Sequence, residues 1–491
     1  MKEMISEFVR EQKRYSQKEL RNIFELKSCE IEGFIKNLKA FGVLKSVRNN
    51  LEQTELSDLI DEDIEIAEAE PEEDDYLYVF TYVGVITVGS RVIKCYPKYI
   101  LNKDKPIDEM KQVLKVLAKY GTKEQIVNLY NGNGDNKSFN ILAVILFLIN
   151  DYYENGVYNN TEDIIEVNGE GEILWDKTIN DSFAIISNNH PYYMEVYTKK
   201  TVDDEYDFFK KLHECIITKC SKQLKSCGLI ELFDISQIEI SEYNIDEFGD
   251  REYILYRLQS ELNIQFNTRK QILLKTLYAY VANERTMEDS YGISMYGTNS
   301  FNLVWERVCS EVFNNKLSTP IGQLDIPGLL AKGYKANTKL IDLIEKPLWM
   351  GLDSENKVFE KNSKDTLIPD LISIARYGEN TQFIIFDAKY YNIQLDREKI
   401  LRGNPGVGDI TKQYLYQLAY KKFIDDHNIQ IVKNCFLMPT QEEQIIKKGT
   451  VKMEMFNALG LEDIQIRLLS AKMMYEKYLN RNVFDIKILG L

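Results

Sequence analysis

The spacing of apolar and polar positions divides the chain into regions with different periods. Up to about residue 50 apolar residues recur at helical spacing. They predict a helix over Met4–Lys13 and a second opened by Ser16, with Glu19 three residues on completing a capping box. A third helix is expected over Glu30–Ala40, closed by Gly42, and Val43–Val47 then reads as a strand. Leu77–Tyr99 has β character, punctuated at Gly84 and at Gly89-Ser90. Helices follow near Ile107–Lys119 and Asn140–Tyr153, a further β segment spans Val167–Ile179 with Trp175, and helical patterns cover Asp204–Cys227 and Tyr253–Asn283. The last region predicts a helix over Phe301–Asn315 and a strand over Leu367–Ala375. A turn at Arg376–Asn380 and a second strand over Thr381–Tyr391 follow, then a helix over Gly408–Phe423 and a strand over Asn434–Pro439.

The first region has the order of a winged helix: helix, helix-turn-helix, strand. Its third helix would be the recognition helix, offering Lys36 and Lys39 to DNA, with Lys45 and Arg48 toward the wing. Many such folds make only protein contacts, and Glu30 and Glu32 share that helix. At 491 residues the chain holds more than one domain, and 44% apolar with 28% charged residues is ordinary for a globular protein. The net charge of −15 argues against nucleic acid until its placement is seen. Residues 51–75 carry thirteen Asp or Glu and no Lys or Arg, so the remainder carries only −2 and can hold basic surfaces. That acidic run reads as a solvated linker; a mimic of DNA laid over a basic site is the other reading.

Seven cysteines with no Cys-x-x-Cys pair, and only three histidines, exclude a disulfide scaffold and leave little for a zinc site or a catalytic triad. The most apolar run, Ile141–Ile149, is about half the length needed to cross a bilayer. The start of the chain does not read as a secretory signal, so a cytoplasmic, bacterial protein without a membrane partner is expected. No Gly-x-x-x-x-Gly-Lys-[Ser/Thr] sequence occurs, and the glycine-rich Gly403–Asp409 lacks the lysine, so an NTPase must be a separate chain.

The chemistry concentrates after Leu367. Pro369-Asp370 is followed, after sixteen intervening residues, by Asp387-Ala388-Lys389 on the second strand of a predicted hairpin. Residues two apart on a strand share a face, so Asp387 and Lys389 point together, and the hairpin brings Asp370 beside Asp387. Two carboxylates with the Ala388 carbonyl suit a hard divalent cation, Mg²⁺ foremost with Mn²⁺ as a substitute. Lys389 would position the attacking water and stabilise developing charge. This is the PD-(D/E)xK nuclease pattern; a structural ion pair between Asp387 and Lys389 is the simpler alternative. The helix Phe301–Asn315 offers Glu306 as a further acid and metal ligand, and Lys412, Gln413 and Tyr416 open the helix after the hairpin, near the expected path of DNA.

In Thr81–Tyr99, Asn168–Ile179, Trp305–Phe313, Ile368–Ile372, Phe386–Tyr391, Asp409–Tyr420 and Cys435–Pro439 the chain resembles the LlaJI family of restriction endonucleases, relatives of the McrC nuclease subunit. The expected fold is multidomain, of mixed α+β and α/β character. The winged helix over 1–50 and the acidic linker over 51–76 lie outside the resemblance, which implies a mixed α/β domain over 77–250 that docks on a motor and a PD-(D/E)xK core of mixed sheet flanked by helices over 251–491. It implies a catalytic set of Asp370, Asp387 and Lys389, with Gln413 matching the glutamine of the following helix. Gln417 rather than tyrosine stands four residues on, with Tyr416 and Tyr420 nearby. The implied activity is Mg²⁺-dependent cleavage of double-stranded DNA in antiviral restriction. The implied partner is a McrB-like AAA+ GTPase that alone would bind GTP, and self-association would serve double-strand cleavage. A non-catalytic DNA-binding adaptor and a motor-independent defence nuclease are the competing readings.

Overall fold

The computed structural model describes residues 5–48, 76–121, 130–131, 138–203, 207–283, 293–377 and 380–491. The acidic run expected as a linker lies outside the described residues. Two compact units emerge, one drawn chiefly from residues 127–294 and the other from 5–86, 91–126 and 295–491. The expected boundary after residue 250 therefore falls inside the first unit. The second joins both ends of the chain, expected from the sequence to lie in separate domains.

In the second unit, β1 (Ile5–Arg10) is followed by α1 (Gln17–Ile23), α2 (Ile31–Ala40), β2 (Leu44–Arg48), β3 (Tyr76–Phe80), β4 (Val83–Val88), β5 (Arg91–Tyr96) and α3 (Ile107–Gly121). The helix expected over Met4–Lys13 is instead the strand β1, which runs parallel to β5 from Ile5 opposite Arg91 to Arg10 opposite Tyr96. Ladder hydrogen bonds to a distant segment outweigh the weak local helical pattern here. The Ser16–Glu19 capping box forms as expected: the Ser16 hydroxyl accepts from the Glu19 N–H, and the Glu19 carboxylate accepts from the Ser16 N–H. The expected three-helix winged helix is thus two helices with a three-stranded antiparallel sheet in which β3 lies between Arg14–Tyr15 and β2. Residues 1–50 are not self-contained, since β2 pairs with β3 and β1 with β5. Gly84, expected to punctuate strands, lies inside β4 at φ +145°. There a Cβ would meet the Tyr296 carbonyl oxygen at 2.2 Å, so only glycine permits the close approach.

The C-terminal part of the second unit opens with α4 (Phe301–Val312) and continues through β6 (Leu371–Tyr377), β7 (Asn380–Ala388), α5 (Val407–Asp426), β8 (Ile431–Thr440), β9 (Ile446–Val451), β10 (Ile464–Ser470) and α6 (Ala471–Leu479). These strands form one mixed sheet in the order β6-β7-β8-β10-β9, antiparallel at both edges and parallel between β7, β8 and β10. The hairpin β6–β7 matches expectation, although β6 starts at Leu371, leaving Pro369 and Asp370 ahead of the ladder. Proline has no N–H to give a ladder, which favours this late start.

β7 is apolar on both faces because both are covered. Phe383 and Ile385 pack with Tyr416, Tyr420 and Phe423 of α5. Phe386 stacks on Phe313, just past α4, at 5.1 Å between ring centroids. Val304, Trp305, Val308 and Val312 are buried, whereas Leu303 is exposed.

In the first unit, the helices Ile141–Asn155, Trp175–Asp181, Phe208–Ser226, Arg251–Ile264 and Thr268–Ala282 accompany a three-stranded sheet of Glu172–Ile173, Tyr197–Asp203 and Thr161–Val167. The stretch expected helical over Tyr253–Asn283 breaks at Gln265, where the backbone turns extended before Asn267 caps the next helix. Trp175, expected in a strand, opens the helix Trp175–Asp181. Among the described residues no helix is long and apolar enough to cross a membrane. None of the seven cysteines is in a disulfide.

Candidate active site

Asp370, Asp387 and Lys389 meet at the end of β7. Asp370 sits just before β6, and its Oδ2 accepts the Ala388 N–H at 2.9 Å, tying the start of one strand to the end of the next. The Asp387 carboxyl is 4% exposed and hydrogen-bonded to that of Asp370. Burial, then this bond and the charge of Asp370, push the Asp387 carboxyl well above the usual carboxylate range. The Lys389 ammonium lies 3.2 Å from Asp387 Oδ2 and 3.1 Å from Asp409 Oδ1, in the first turn of α5. Burial alone would lower the Lys389 pKa. The charges of Asp387 and Asp409 overcome it, so the amine is held protonated.

Glu306 projects from α4, half-buried, into a cleft of about 490 Å³ lined by Tyr120, Leu303, Glu306, Arg307, Ser310, Asp370 and Tyr478. Burial, then the charge of Asp370, raises its carboxyl to about 7, with Lys389 partly offsetting the rise. Glu306 thus shares the electrostatic field of Asp370 and Lys389. Among the described residues no three side chains of the His, Cys, Asp and Glu types gather into a ready metal cage. The donor chemistry nevertheless fits a hard cation. The neighbouring Asp370 adds to the burial cost of the Asp387 carboxylate; a divalent ion held by the two acids would offset it, and Mg²⁺ would complete its shell with water.

The other expected residues divide. Gln413 is fully buried, and its amide donates to the Ile385 carbonyl at 3.0 Å, bracing α5 against β7 two residues before Asp387. Its Oε1 has no hydrogen-bond partner. Tyr416, expected near DNA, is 7% exposed; its hydroxyl donates to the Ile368 carbonyl at 3.0 Å and so holds the segment entering Asp370. Lys412 is exposed. Lys36 is exposed on α2, Lys39 places its ammonium 5.2 Å from the Tyr78 ring centroid, and Lys45 and Arg48 lie on β2.

Three supports escaped sequence reading. Asn315 donates to the Asp370 carbonyl at 3.1 Å and accepts from the Ile372 N–H at 3.1 Å, bracketing the acid. The Leu437 carbonyl accepts both the Lys389 N–H and the Trp305 indole N–H, each at 3.0 Å. Glu11 reaches Tyr390, the residue after Lys389. The buried Trp305 was a signal of a kind, since indole N–H groups inside proteins find acceptors. Nothing in the spacing pointed to Glu11.

Comparison with known proteins places the chain among restriction endonucleases. It belongs to the LlaJI restriction endonuclease family, matched over residues 82–330 and 333–472. It is 29% identical over 416 residues to component YdjA of the type II restriction enzyme BsuMI from Bacillus subtilis strain 168, covering 83% of this chain and 82% of that protein. A solved half-complex of Thermococcus gammatolerans McrB AAA+ hexamers with bound McrC contains a chain similar at 12% identity with a TM-score of 0.37, covering 97% of this chain and 99% of that one. The family match starts after Thr81, so β1 through β3 lie outside it.

Proposed function

We propose that this chain is the Mg²⁺-dependent, DNA-cleaving subunit of a two-component restriction system, active when assembled with a McrB-like AAA+ GTPase. The observation that carries the reading is the meeting of Asp370, Asp387 and Lys389 at one strand end in a member of a restriction endonuclease family. Asp370, Asp387 and the Ala388 carbonyl would hold the cation, with Glu306 at the margin. When bound, Mg²⁺ or Mn²⁺ supplies positive charge beside the scissile phosphate and acidifies a water.

The chain's own residues do the rest. Lys389, kept charged by Asp387 and Asp409, presents an ammonium to the developing negative charge. Glu306, with a carboxyl near neutrality, can take a proton at working pH. Gln413, Tyr416 and Asn315 hold the backbone that carries the acids. The YdjA relative is itself named as one component of a restriction enzyme, and no nucleotide-binding glycine-lysine loop occurs in this chain, which supports a separate motor. One site per chain cuts one strand, so duplex cleavage takes two copies. Titrating Mg²⁺ and Mn²⁺ into wild type and Asp387→Ala tests the metal assignment: binding lost in the variant supports it, and equal binding refutes it.

A further inference from the structure

Lys389 stands where the sheet releases its chain. β7 ends at Ala388, and the Lys389 N–H makes the last contact to β8, on the Leu437 carbonyl. Among the described residues the ladder pairing of β7 ends here, and the next residue is held by a side-chain contact. The Tyr390 hydroxyl donates to Glu11 Oε2 at 2.6 Å. The same oxygen accepts the Lys98 N–H at 3.1 Å, and that N–H also lies 3.3 Å from the Tyr390 oxygen. Glu11 follows directly after β1 and is 6% exposed. The Tyr390 ring packs against Phe301 of α4 at 5.3 Å and Tyr99 at 6.2 Å between centroids.

We propose that Glu11 is a positioning residue for Lys389, acting through Tyr390. The argument is one of constraint. A side chain that must place its ammonium between Asp387 and Asp409 needs its backbone fixed on both sides. The Leu437 carbonyl fixes the N-terminal side. The C-terminal side depends on Tyr390, and the hydroxyl of Tyr390 ends on a carboxylate delivered by the other end of the chain. A buried carboxylate is costly to keep and is satisfied here by donors from Tyr390 and Lys98. It follows that the N-terminal segment, which lies outside the family match, is part of the support of the active site rather than a detachable head. The inference rests on the nuclease reading for its kinetic consequence but not for its geometry.

The test compares full-length wild type, Glu11→Ala, Glu11→Gln, Tyr390→Phe and Asp387→Ala in single-turnover DNA cleavage with Mg²⁺, each assembled with the AAA+ GTPase partner and GTP, together with crystal structures of wild type and Glu11→Ala. Glu11→Ala is expected to slow the step at saturating DNA by about 30-fold with the half-saturating DNA concentration changed less than about twofold. Glu11→Gln is expected to restore the rate to within about threefold, because its amide oxygen can accept the same two hydrogens. In the Glu11→Ala structure Lys389 should leave Asp387. The proposal is overturned by Glu11→Ala cleaving at the wild-type rate, by rate and DNA affinity falling together, or by Lys389 unmoved in the variant structure. If Glu11→Ala fails to fold, Tyr390→Phe carries the same expectation and the same refutation. Absence of cleavage by wild type and Asp387→Ala alike counts against the nuclease reading only, and the paired structures then decide the role of Glu11.

Discussion

The Lys389 ammonium lies 3.2 Å from Asp387 Oδ2, while the same carboxyl is hydrogen-bonded to Asp370. One acid thus faces an attractive and a repulsive neighbour in a nearly dry setting. Such a site is costly to the fold, as sites kept for chemistry often are. Asp387→Asn relieves the repulsion. It should abolish cleavage while raising the melting temperature of the metal-free protein by about 2 °C. Calorimetry of both proteins without divalent cations checks this; a lower melting temperature in the variant would mean that the pair stabilises the fold.

Asp409 is the second anchor of Lys389, at 3.1 Å, and it belongs to α5 rather than to the hairpin. Losing Lys389 itself should cost about 10³-fold in cleavage rate. Losing Asp409 should cost about tenfold, because Asp387 still holds the amine. Metal affinity should be nearly unchanged in Asp409→Ala. Cleavage rates and Mg²⁺ titration on Lys389→Ala and Asp409→Ala separate the two roles.

Glu306 gives a pH signature. Its carboxyl is raised from 4.5 to about 7, so the folded protein binds this proton more tightly than the unfolded chain does. The associated stability is present below about pH 4.5 and is lost as pH rises through about 7. Glu306→Gln, which cannot ionise, should therefore gain thermal stability over wild type at pH 8 and much less at pH 5.5. Melting curves at the two pH values in metal-free buffer measure it, and a difference independent of pH would refute the assignment.

Trp305 is fully buried and shares the Leu437 carbonyl with the Lys389 N–H. Trp305→Phe keeps most of the apolar volume and loses one hydrogen bond, a cost of about 1 kcal/mol. Trp305→Ala adds a cavity and should cost about 3–5 kcal/mol. Denaturant unfolding followed by circular dichroism distinguishes the two.

The hairpin that brings Asp370, Asp387 and Lys389 together was legible in the sequence because its signal is local. Strand alternation sets Asp387 and Lys389 on one face, and two apolar runs either side of a turn pair in register. The capping box at Ser16–Glu19 was legible for the same reason. Illegible were the features set by partners far along the chain. β1 reads as a helix because nothing near it announces β5, its parallel partner more than eighty residues away. The inward turn of Tyr416 follows from the docking of α5, which a helix with several apolar sides does not declare. Glu11 is one acid among many in an acidic chain, and only the folded structure brings it to Tyr390.

The most direct test of the account is cleavage of plasmid DNA with Mg²⁺, comparing wild type with Asp387→Ala, each with and without a purified AAA+ GTPase partner and GTP. The account predicts linear or nicked product only for wild type with the partner and GTP, and none for the variant. Cleavage by Asp387→Ala at the wild-type rate would contradict it.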